Sequence, residues 1–286
     1  MRYGVLAAVL IGAATLGGCT EGVLDPKGPI AAAEREILFN SLGIMLAIVI
    51  PTILATLGIA YWFRSSNRRA RYRPDFTYSG RLELLVWSIP AMTVLLVGGV
   101  AWIGAHDLDP RKPIASDVTP LKVQVVSLDW KWLFIYPDQG VASVNQLTVP
   151  VGTPISFELT SIGAMNSFFV PQLGSQIYTM AGMMTRVQLQ ADQVGTYRGL
   201  SANFSGDGFA DMRFAVDAVS ASEFERWVHA VRRGSTPVLD AQTYADLARP
   251  SKAVAPFTYH AVAPGLFNGI VNAGMPGQTP SQRAEK

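Results

Sequence analysis

Side chains that could hold a redox metal are scarce in this chain. Its 286 residues include one cysteine, Cys19, and three histidines, His106, His229 and His260. A copper centre that transfers electrons needs soft thiolate and imidazole ligands. None of these four side chains falls between residues 117 and 218, where the period-two pattern of β-strands is concentrated. We therefore expect no copper in that part of the chain.

Methionines are the other soft side chains near the predicted strands. Thioethers can bind Cu(I), but they also fill gaps in apolar interiors, and we favour packing over metal binding. The five in question are Met165, Met180, Met183, Met184 and Met212.

A single carboxylate, Glu83, stands at the mouth of the second long apolar segment. Trp87 and Pro90 follow it in an E-x-x-x-W-x-x-P pattern. Ionisable groups at the edges of membrane helices often mark proton or ion routes. Glu83 could also be an interfacial carboxylate balanced by Arg81, and the residues alone leave both interpretations open.

Two apolar segments indicate a membrane protein. The chain is 49% hydrophobic and 15% charged, which is apolar for a soluble protein, and its net charge of +2 gives no reason to expect a nucleic-acid partner. We predict transmembrane helices over 37–63 and 83–105, because a bilayer core takes about 20 apolar residues. The loop 64–82 has one acid, Asp75, against six arginines: Arg64, Arg68, Arg69, Arg71, Arg73 and Arg81. The positive-inside rule then places the loop in the cytoplasm and both ends of the chain outside it.

The N-terminus has the layout of a secretory signal peptide over residues 1–18, with Arg2 followed by a short apolar core. Leu16-Gly17-Gly18-Cys19 resembles the bacterial lipoprotein box, which implies that Cys19 is acylated and becomes the mature N-terminus. An ordinary signal peptide with an incidental cysteine is the alternative. Residues 19–36 are predicted to be an exported linker.

Alternating strands dominate residues 117–218. Apolar and polar residues alternate around Val123, Phe157, Val187 and Phe214, and turns rich in Pro and Gly separate these runs. Such a pattern indicates a β-sandwich or barrel.

The C-terminal region, 219–272, is predicted to add short helices. Ser222 and Glu225 have the spacing of a capping box. A helix with one apolar face follows, formed by Phe224, Trp227, Val228 and Val231. A second helix runs from about Asp240 to Arg249, and the apolar stretch that ends near Val271 packs on the sandwich or on a partner. Residues 273–286 are predicted to be a disordered tail.

The segment Gly199–Met212 resembles the copper loop of subunit II of the haem–copper respiratory oxidases. The family loop reads C-x-E-x-C-x-x-x-H-x-x-M, and an upstream H-S-W/F-x-V-P motif supplies one more histidine. The corresponding positions here are Asn166, Ser201, Asn203, Ser205, Phe209 and Met212. Only the methionine keeps its ligand type. The aromatic run Asp129–Tyr136 resembles the W-x-W stretch of the same family, for which we favour core packing and contact with the large membrane subunit.

The resemblance is greatest to the copper-free, quinol-oxidising branch of cytochrome bo type. It implies an α+β membrane protein: a two-helix transmembrane hairpin, an exported cupredoxin-like Greek-key β-sandwich and a short helical C-terminal extension. It also implies a proton-pumping ubiquinol oxidase in the bacterial inner membrane. The haems, one copper and the ubiquinol site would belong to subunit I, further small membrane subunits would be present, and cytochrome c would not be a partner. In this family a Glu at the position of Glu83 lies at the cytoplasmic entrance of a proton channel.

Two alternatives remain open. One is a cytochrome c oxidase subunit II with an unusual copper site. The other is a free-standing exported lipoprotein whose β-sandwich is a binding module.

Overall fold

The computed structural model describes residues 22–71 and 73–273. The signal peptide, Cys19 and the tail from residue 274 onward lie outside the described residues. The chain divides into a helical unit, Ala33–Asp109, and a second unit that contains the sandwich.

Two long helices make up most of the helical unit. Helix α1 spans Pro29–Trp62 and helix α2 spans Gly80–Asp107. Both are long and apolar enough to cross a membrane, and most of their large apolar side chains are exposed, as lipid-facing residues would be. They approach closely where Gly104 faces Ile37, since a Cβ on this glycine would lie 2.6 Å from the isoleucine Cδ1.

Helix α1 begins eight residues before the predicted start at residue 37. Proline is favoured at the first position of a helix, because its missing N–H would have no helical partner there, and Pro29 occupies that position. The predicted linker 19–36 is therefore helical from Pro29 onward. Helix α2 likewise extends beyond the predicted span at both ends.

Thirteen strands follow within the described part of the chain. They are β1 (Leu121–Leu128), β2 (Lys131–Tyr136), β3 (Val141–Val144), β4 (Gln146–Pro150), β5 (Ile155–Ser161), β6 (Asn166–Phe169), β7 (Ile177–Thr179), β8 (Thr185–Leu189), β9 (Gly195–Ser201), β10 (Arg213–Val219), β11 (Val238–Leu239), β12 (Phe257–Tyr259) and β13 (Ala261–Val262). The sandwich consists of a six-stranded sheet with the order β12-β3-β2-β1-β5-β8 and a five-stranded sheet with the order β4-β10-β9-β6-β7, while β11 pairs separately with β13. Strands β1 and β5 are parallel, as are β4 and β10, so crossover connections join the two sheets into the predicted sandwich.

The core between the two sheets is rich in aromatic rings. Phe168 from β6 stacks on Phe214 from β10 with ring centroids 5.1 Å apart. Trp132 and Phe134 from β2 meet this pair at angles typical of aromatic clusters. Three aromatic residues of the run, Trp132, Phe134 and Tyr136, are therefore core residues, as predicted, whereas Trp130 lies outside this core.

The C-terminal extension covers two surfaces of the sandwich. Its helices are α3 (Ala221–Arg233), α4 (Ala241–Leu247) and α5 (Leu266–Ala273). The apolar face of α3 closes the main core, with Trp227 packed 5.2 Å from Tyr136. Phe267 and Ile270 of α5 belong to a second core on the outer face of β1, β2 and β3. The apolar stretch that ends near Val271 thus packs on the sandwich.

Lys131 ties the extension to the sandwich. Its side chain is 1% exposed, and its ammonium donates to the Arg249 carbonyl at 2.8 Å and to Ser251 Oγ at 2.6 Å. Burial lowers the pKa of this ammonium, and the nearby Asp129 carboxylate opposes that shift. The bonds compensate in part for removing the charge from water.

Candidate functional site

The loop between β9 and β10 lies beside the start of β6, and this brings two of the former copper positions together. Ser201 ends β9 and Asn166 begins β6, and the two strands pair in antiparallel fashion. The Ser201 hydroxyl donates to Asn166 Oδ1 at 3.0 Å. Both residues are buried. A buried hydrogen bond therefore joins the two strands at this point.

Asn203 fastens the next part of the loop to the chain before β6. Its side-chain amide donates to the Met165 carbonyl at 2.9 Å. Its own carbonyl lies 3.3 Å from Ser201 Oγ. Asn203 thus holds the loop to the residue before Asn166, while the single hydroxyl proton of Ser201 goes to the nearer acceptor, Asn166 Oδ1.

Ser205 and Met212 form a looser contact. The Ser205 hydroxyl lies 4.0 Å from the buried Met212 sulfur. A thioether is a weak acceptor, so this contact adds little to the free energy of folding.

Phe209 is not part of the hydrogen-bonded group. It sits in a short 3₁₀-helix, Phe209–Asp211, and its ring contacts that of Phe204 at a centroid distance of 5.6 Å. Phe204 is 76% exposed. The position that carries a histidine in the copper-binding pattern therefore contributes to an aromatic pair near the surface.

The Trp130 side chain packs against the loop between β9 and β10. It was not among the predicted site residues. Its backbone has a φ of 64°, which non-glycine residues adopt only rarely. The indole N–H donates to the Ser205 carbonyl at 3.1 Å. A Cβ on Gly208 would lie 2.3 Å from the indole ring, so the loop can rest on Trp130 only with glycine there. Trp130 belongs to the aromatic run and Ser205 and Gly208 to the loop, so no single motif contains this contact.

The methionines do not gather into a thioether site. Met165, Met183 and Met184 are exposed, whereas Met212 is buried in the sandwich core. Within 22–71 and 73–273, no group of three or more His, Cys, Asp or Glu side chains is placed to hold a metal ion.

The histidines have separate surroundings. The His106 ring contacts the Trp102 ring in α2 at a tilt, with ring centroids 4.4 Å apart. His229 is exposed on α3, and His260 Nδ1 contacts the Thr236 carbonyl.

Glu83 lies in the first turn of α2. One of its carboxylate oxygens accepts a hydrogen bond from the Trp87 indole at 3.0 Å, one helical turn further on. Pro90 lies within the same helix, two turns from Glu83. The three residues of the E-x-x-x-W-x-x-P pattern thus share one helix, and two of them are in direct contact.

Comparisons with known proteins agree with this architecture. Residues 137–219 match the family described as cytochrome c oxidase subunit II, periplasmic domain, and residues 233–278 match the COX aromatic rich motif. The ubiquinol oxidase subunit 2 of Acetobacter aceti is 48% identical over 279 residues, which cover 96% of this chain and 89% of that protein. This chain belongs to the ubiquinol oxidase subunit 2 family.

Other relatives extend the similarity. The cytochrome bo(3) ubiquinol oxidase subunit 2 of Pseudomonas aeruginosa is 46% identical over 256 residues, with 90% of this chain and 77% of that protein covered. The periplasmic domain of cytochrome oxidase subunit II from Bradyrhizobium japonicum has 24% identity and a TM-score of 0.38, covering 42% of this chain and 96% of that one. The cupredoxin-like assignment rests on the strand order and on the family match.

Membership in the ubiquinol oxidase subunit 2 family agrees with the main features of the structure. The two apolar helices and the periplasmic-type domain are those of an inner-membrane protein. The chain is thus one part of a membrane-bound oxidoreductase complex.

Proposed function

We propose that this chain is the metal-free subunit of a complex that oxidises ubiquinol, reduces O2 to water and pumps protons. In this proposal the haems, one copper and the ubiquinol site belong to subunit I, and further small membrane subunits complete the assembly. This chain stabilises the exported face and helps the complex to assemble.

One observation supports the proposal that this chain has no electron relay. Asn166 and Ser201, which would both be copper ligands in the related domains, are instead buried and bonded to each other. Hydroxyl and amide oxygens are hard donors and hold the soft copper of an electron-transfer site poorly. A quinol moves within the bilayer and can reach subunit I directly, so such a complex needs no relay to a soluble haem protein such as cytochrome c.

A second part of the proposal assigns Glu83 to the entrance of a proton channel. Its carboxylate sits in the first turn of a membrane-spanning helix, where the Trp87 indole fixes its orientation. Carboxylates at the edges of membrane helices are costly to retain and often take part in proton transfer. The arginine-rich loop that precedes Glu83 would lie in the cytoplasm, which places this carboxylate on the side from which protons are taken up.

A third part concerns the N-terminus. Cys19 would be acylated after export, which would anchor the chain to the outer leaflet ahead of α1. Mass spectrometry of the mature N-terminus tests this directly, because an unmodified cysteine or a different cleavage site contradicts it.

Purification of the complex through a tag on this chain tests the main proposal. We expect a haem-containing membrane protein to co-purify, ubiquinol to be oxidised rapidly and reduced cytochrome c to be oxidised negligibly. Metal analysis should find copper only in the amount that subunit I holds. Isolation of this chain alone would favour a free-standing lipoprotein, whereas additional copper with rapid cytochrome c oxidation would favour a cytochrome c oxidase.

A further inference from the structure

The arginine-rich loop borders a pocket that has no part in the proposed function. The pocket has a volume of about 860 Å³ and lies between the end of α1, the loop and the first turn of α2. Three arginines line it: Arg69, Arg71 and Arg73. The other lining residues are apolar, namely Ile59, Trp62, Phe63, Phe76 and Leu82. The pocket thus combines cations with an apolar wall, and no carboxylate is among the residues that line it.

The pocket arginines have no anionic partner in the described parts of the helical unit. The ion pairs of the described residues all involve other side chains. Arg64 provides a contrast, because its guanidinium donates to the Tyr61 carbonyl and to Ser66 Oγ and lies over the Tyr61 ring. Three neighbouring guanidinium groups repel one another unless an anion lies between them, so the pocket favours a negatively charged ligand.

Asn67 fixes the start of the loop relative to α1. Its side-chain amide donates to the Trp62 carbonyl at 2.6 Å, and its side-chain oxygen accepts from the Arg69 backbone N–H at 3.1 Å. Further along, the Phe76 N–H bonds to the Arg73 carbonyl. Two of the three cations are therefore carried by segments with defined local structure.

The depth of the pocket points to the class of ligand. Trp62 and Phe63 lie at the end of a membrane-spanning helix, and aromatic side chains at such ends sit at the level of the lipid headgroups. Arginines next to them meet the phosphate groups, while the apolar lining continues toward the acyl chains.

We propose that this pocket binds one anionic phospholipid. Arg69, Arg71 and Arg73 hold the phosphodiester by charge-assisted hydrogen bonds, and the apolar residues contact the first part of the acyl chains. A zwitterionic lipid fits less well, because its ammonium group would lie near three positive charges. The ligand's headgroup therefore carries net negative charge, as in phosphatidylglycerol.

A pair of matched variants tests the proposal in the intact complex. The pocket variant combines Arg69→Gln, Arg71→Gln and Arg73→Gln. The control variant combines Arg64→Gln, Arg68→Gln and Arg81→Gln, which removes the same charge from residues 64–82 without touching the residues that line the pocket. The delipidated complex is titrated with phosphatidylglycerol, and bound lipid is counted by native mass spectrometry. We expect the pocket variant to hold one phosphatidylglycerol fewer than the wild type and to need about a hundredfold more lipid to regain it, since three arginine charges are removed.

Two parallel titrations identify the ligand chemistry. Phosphatidylcholine should not fill the site at the same concentration, and inorganic phosphate should not displace bound phosphatidylglycerol because it lacks acyl chains. Equal loss of lipid in the pocket and control variants would overturn the proposal, as would equal binding of phosphatidylcholine or displacement by phosphate. Haem content monitors assembly. If the triple pocket variant does not assemble, the three single pocket variants are compared with the three single control variants.

Discussion

Ser201 Oγ and Asn166 Oδ1 lie 3.0 Å apart, at two positions that would each carry a metal ligand in a copper-binding relative of this domain. The two side chains are 3% exposed. A buried polar atom is costly unless it has a hydrogen-bond partner. Here Ser201 and Asn166 are hydrogen-bonded to each other. These two positions therefore hold a polar pair that the fold can accommodate.

The first prediction concerns this pair. Ser201→Ala leaves Asn166 Oδ1 buried without its donor, so we expect the free energy of unfolding to fall by about 1–3 kcal/mol. Proteolytic susceptibility of this chain during thermal unfolding of the complex measures the change. The double variant Ser201→Ala/Asn166→Val removes both partners and should be more stable than the single variant. A single variant as stable as the wild type would show that the hydrogen bond has no net effect.

The second prediction concerns the shape of the loop. Asn166→His, Ser201→Cys, Ser205→Cys and Phe209→His together restore the ligand types of the copper pattern around the retained Met212. We expect this variant to bind copper and to develop a strong visible absorption from thiolate–copper bonds, because these ligands suit soft copper.

A control for the copper variant keeps the two histidines and omits both cysteines. It should bind copper weakly and without the thiolate absorption. If the complete variant folds but stays colourless in the presence of copper, then the loop has moved away from the arrangement that the copper domains use.

The third prediction concerns a close approach between the backbone and an aromatic ring in the core. A Cβ on Gly199 would lie 2.1 Å from the Phe214 ring, and that ring stacks on Phe168. Gly199→Ala should therefore lower the free energy of unfolding by about 1–3 kcal/mol through overpacking. Gly195→Ala in the same strand is the control, since its Cβ would find no heavy atom closer than 3.7 Å. Equal stability of the two variants in denaturant titrations would contradict this explanation.

The sequence predicts the elements of this protein better than their ends. Period-two alternation located β1, β5, β8 and β10 correctly. The capping box was misplaced: the structure uses Ser220 and Glu223, not Ser222 and Glu225. Both pairs have the same spacing, and β10 ends at Val219, whose carbonyl still bonds to Val151. The helix starts directly after the strand. The pairing of β10 therefore decides which of the two equally spaced Ser/Glu pairs caps the helix.

The candidate site was predicted in part. The resemblance to the family's copper motifs singled out Asn166 and Ser201, and the structure brings these two side chains into contact. Trp130 was missed, since its role depends on an unusual backbone conformation and on the absence of a Cβ at Gly208. The buried ammonium of Lys131 was missed for a similar reason: its partners lie at residues 249 and 251, and no local pattern connects them.

The fourth prediction concerns stability in alkali. The Tyr136 hydroxyl is buried and donates to the Thr148 carbonyl, and burial raises its pKa above the ordinary value of 10.0. The folded state keeps a proton that the unfolded state releases, so this contribution is complete below pH 10 and is lost as the pH rises above it. Each such group lowers the free energy of unfolding by about 1.4 kcal/mol per pH unit in that range.

Tyr136→Phe should reduce the slope of the unfolding free energy against pH above pH 10 by the contribution of one proton. Burial also raises the pKa of Tyr197, Tyr244 and Tyr259, so a reduced slope should remain. At neutral pH the variant loses about 1 kcal/mol with its hydrogen bond. Denaturant titrations between pH 9 and pH 11 measure the slope, with Tyr178→Phe as the exposed control. An unchanged slope in Tyr136→Phe would mean that this phenol ionises alike in both states.

The last prediction tests the role of Glu83. Glu83→Gln keeps an oxygen that can accept the Trp87 hydrogen bond, so the first turn of α2 should be preserved while the ionisable group is lost. We expect a severalfold lower ubiquinol oxidation rate, fewer protons translocated per electron and an unchanged haem content. Asp75→Asn, which removes the single acid of the arginine-rich loop, is the control and should behave as the wild type. If the two variants have equal turnover and equal proton yield, Glu83 is an interfacial carboxylate balanced by Arg81, and protons enter the complex elsewhere.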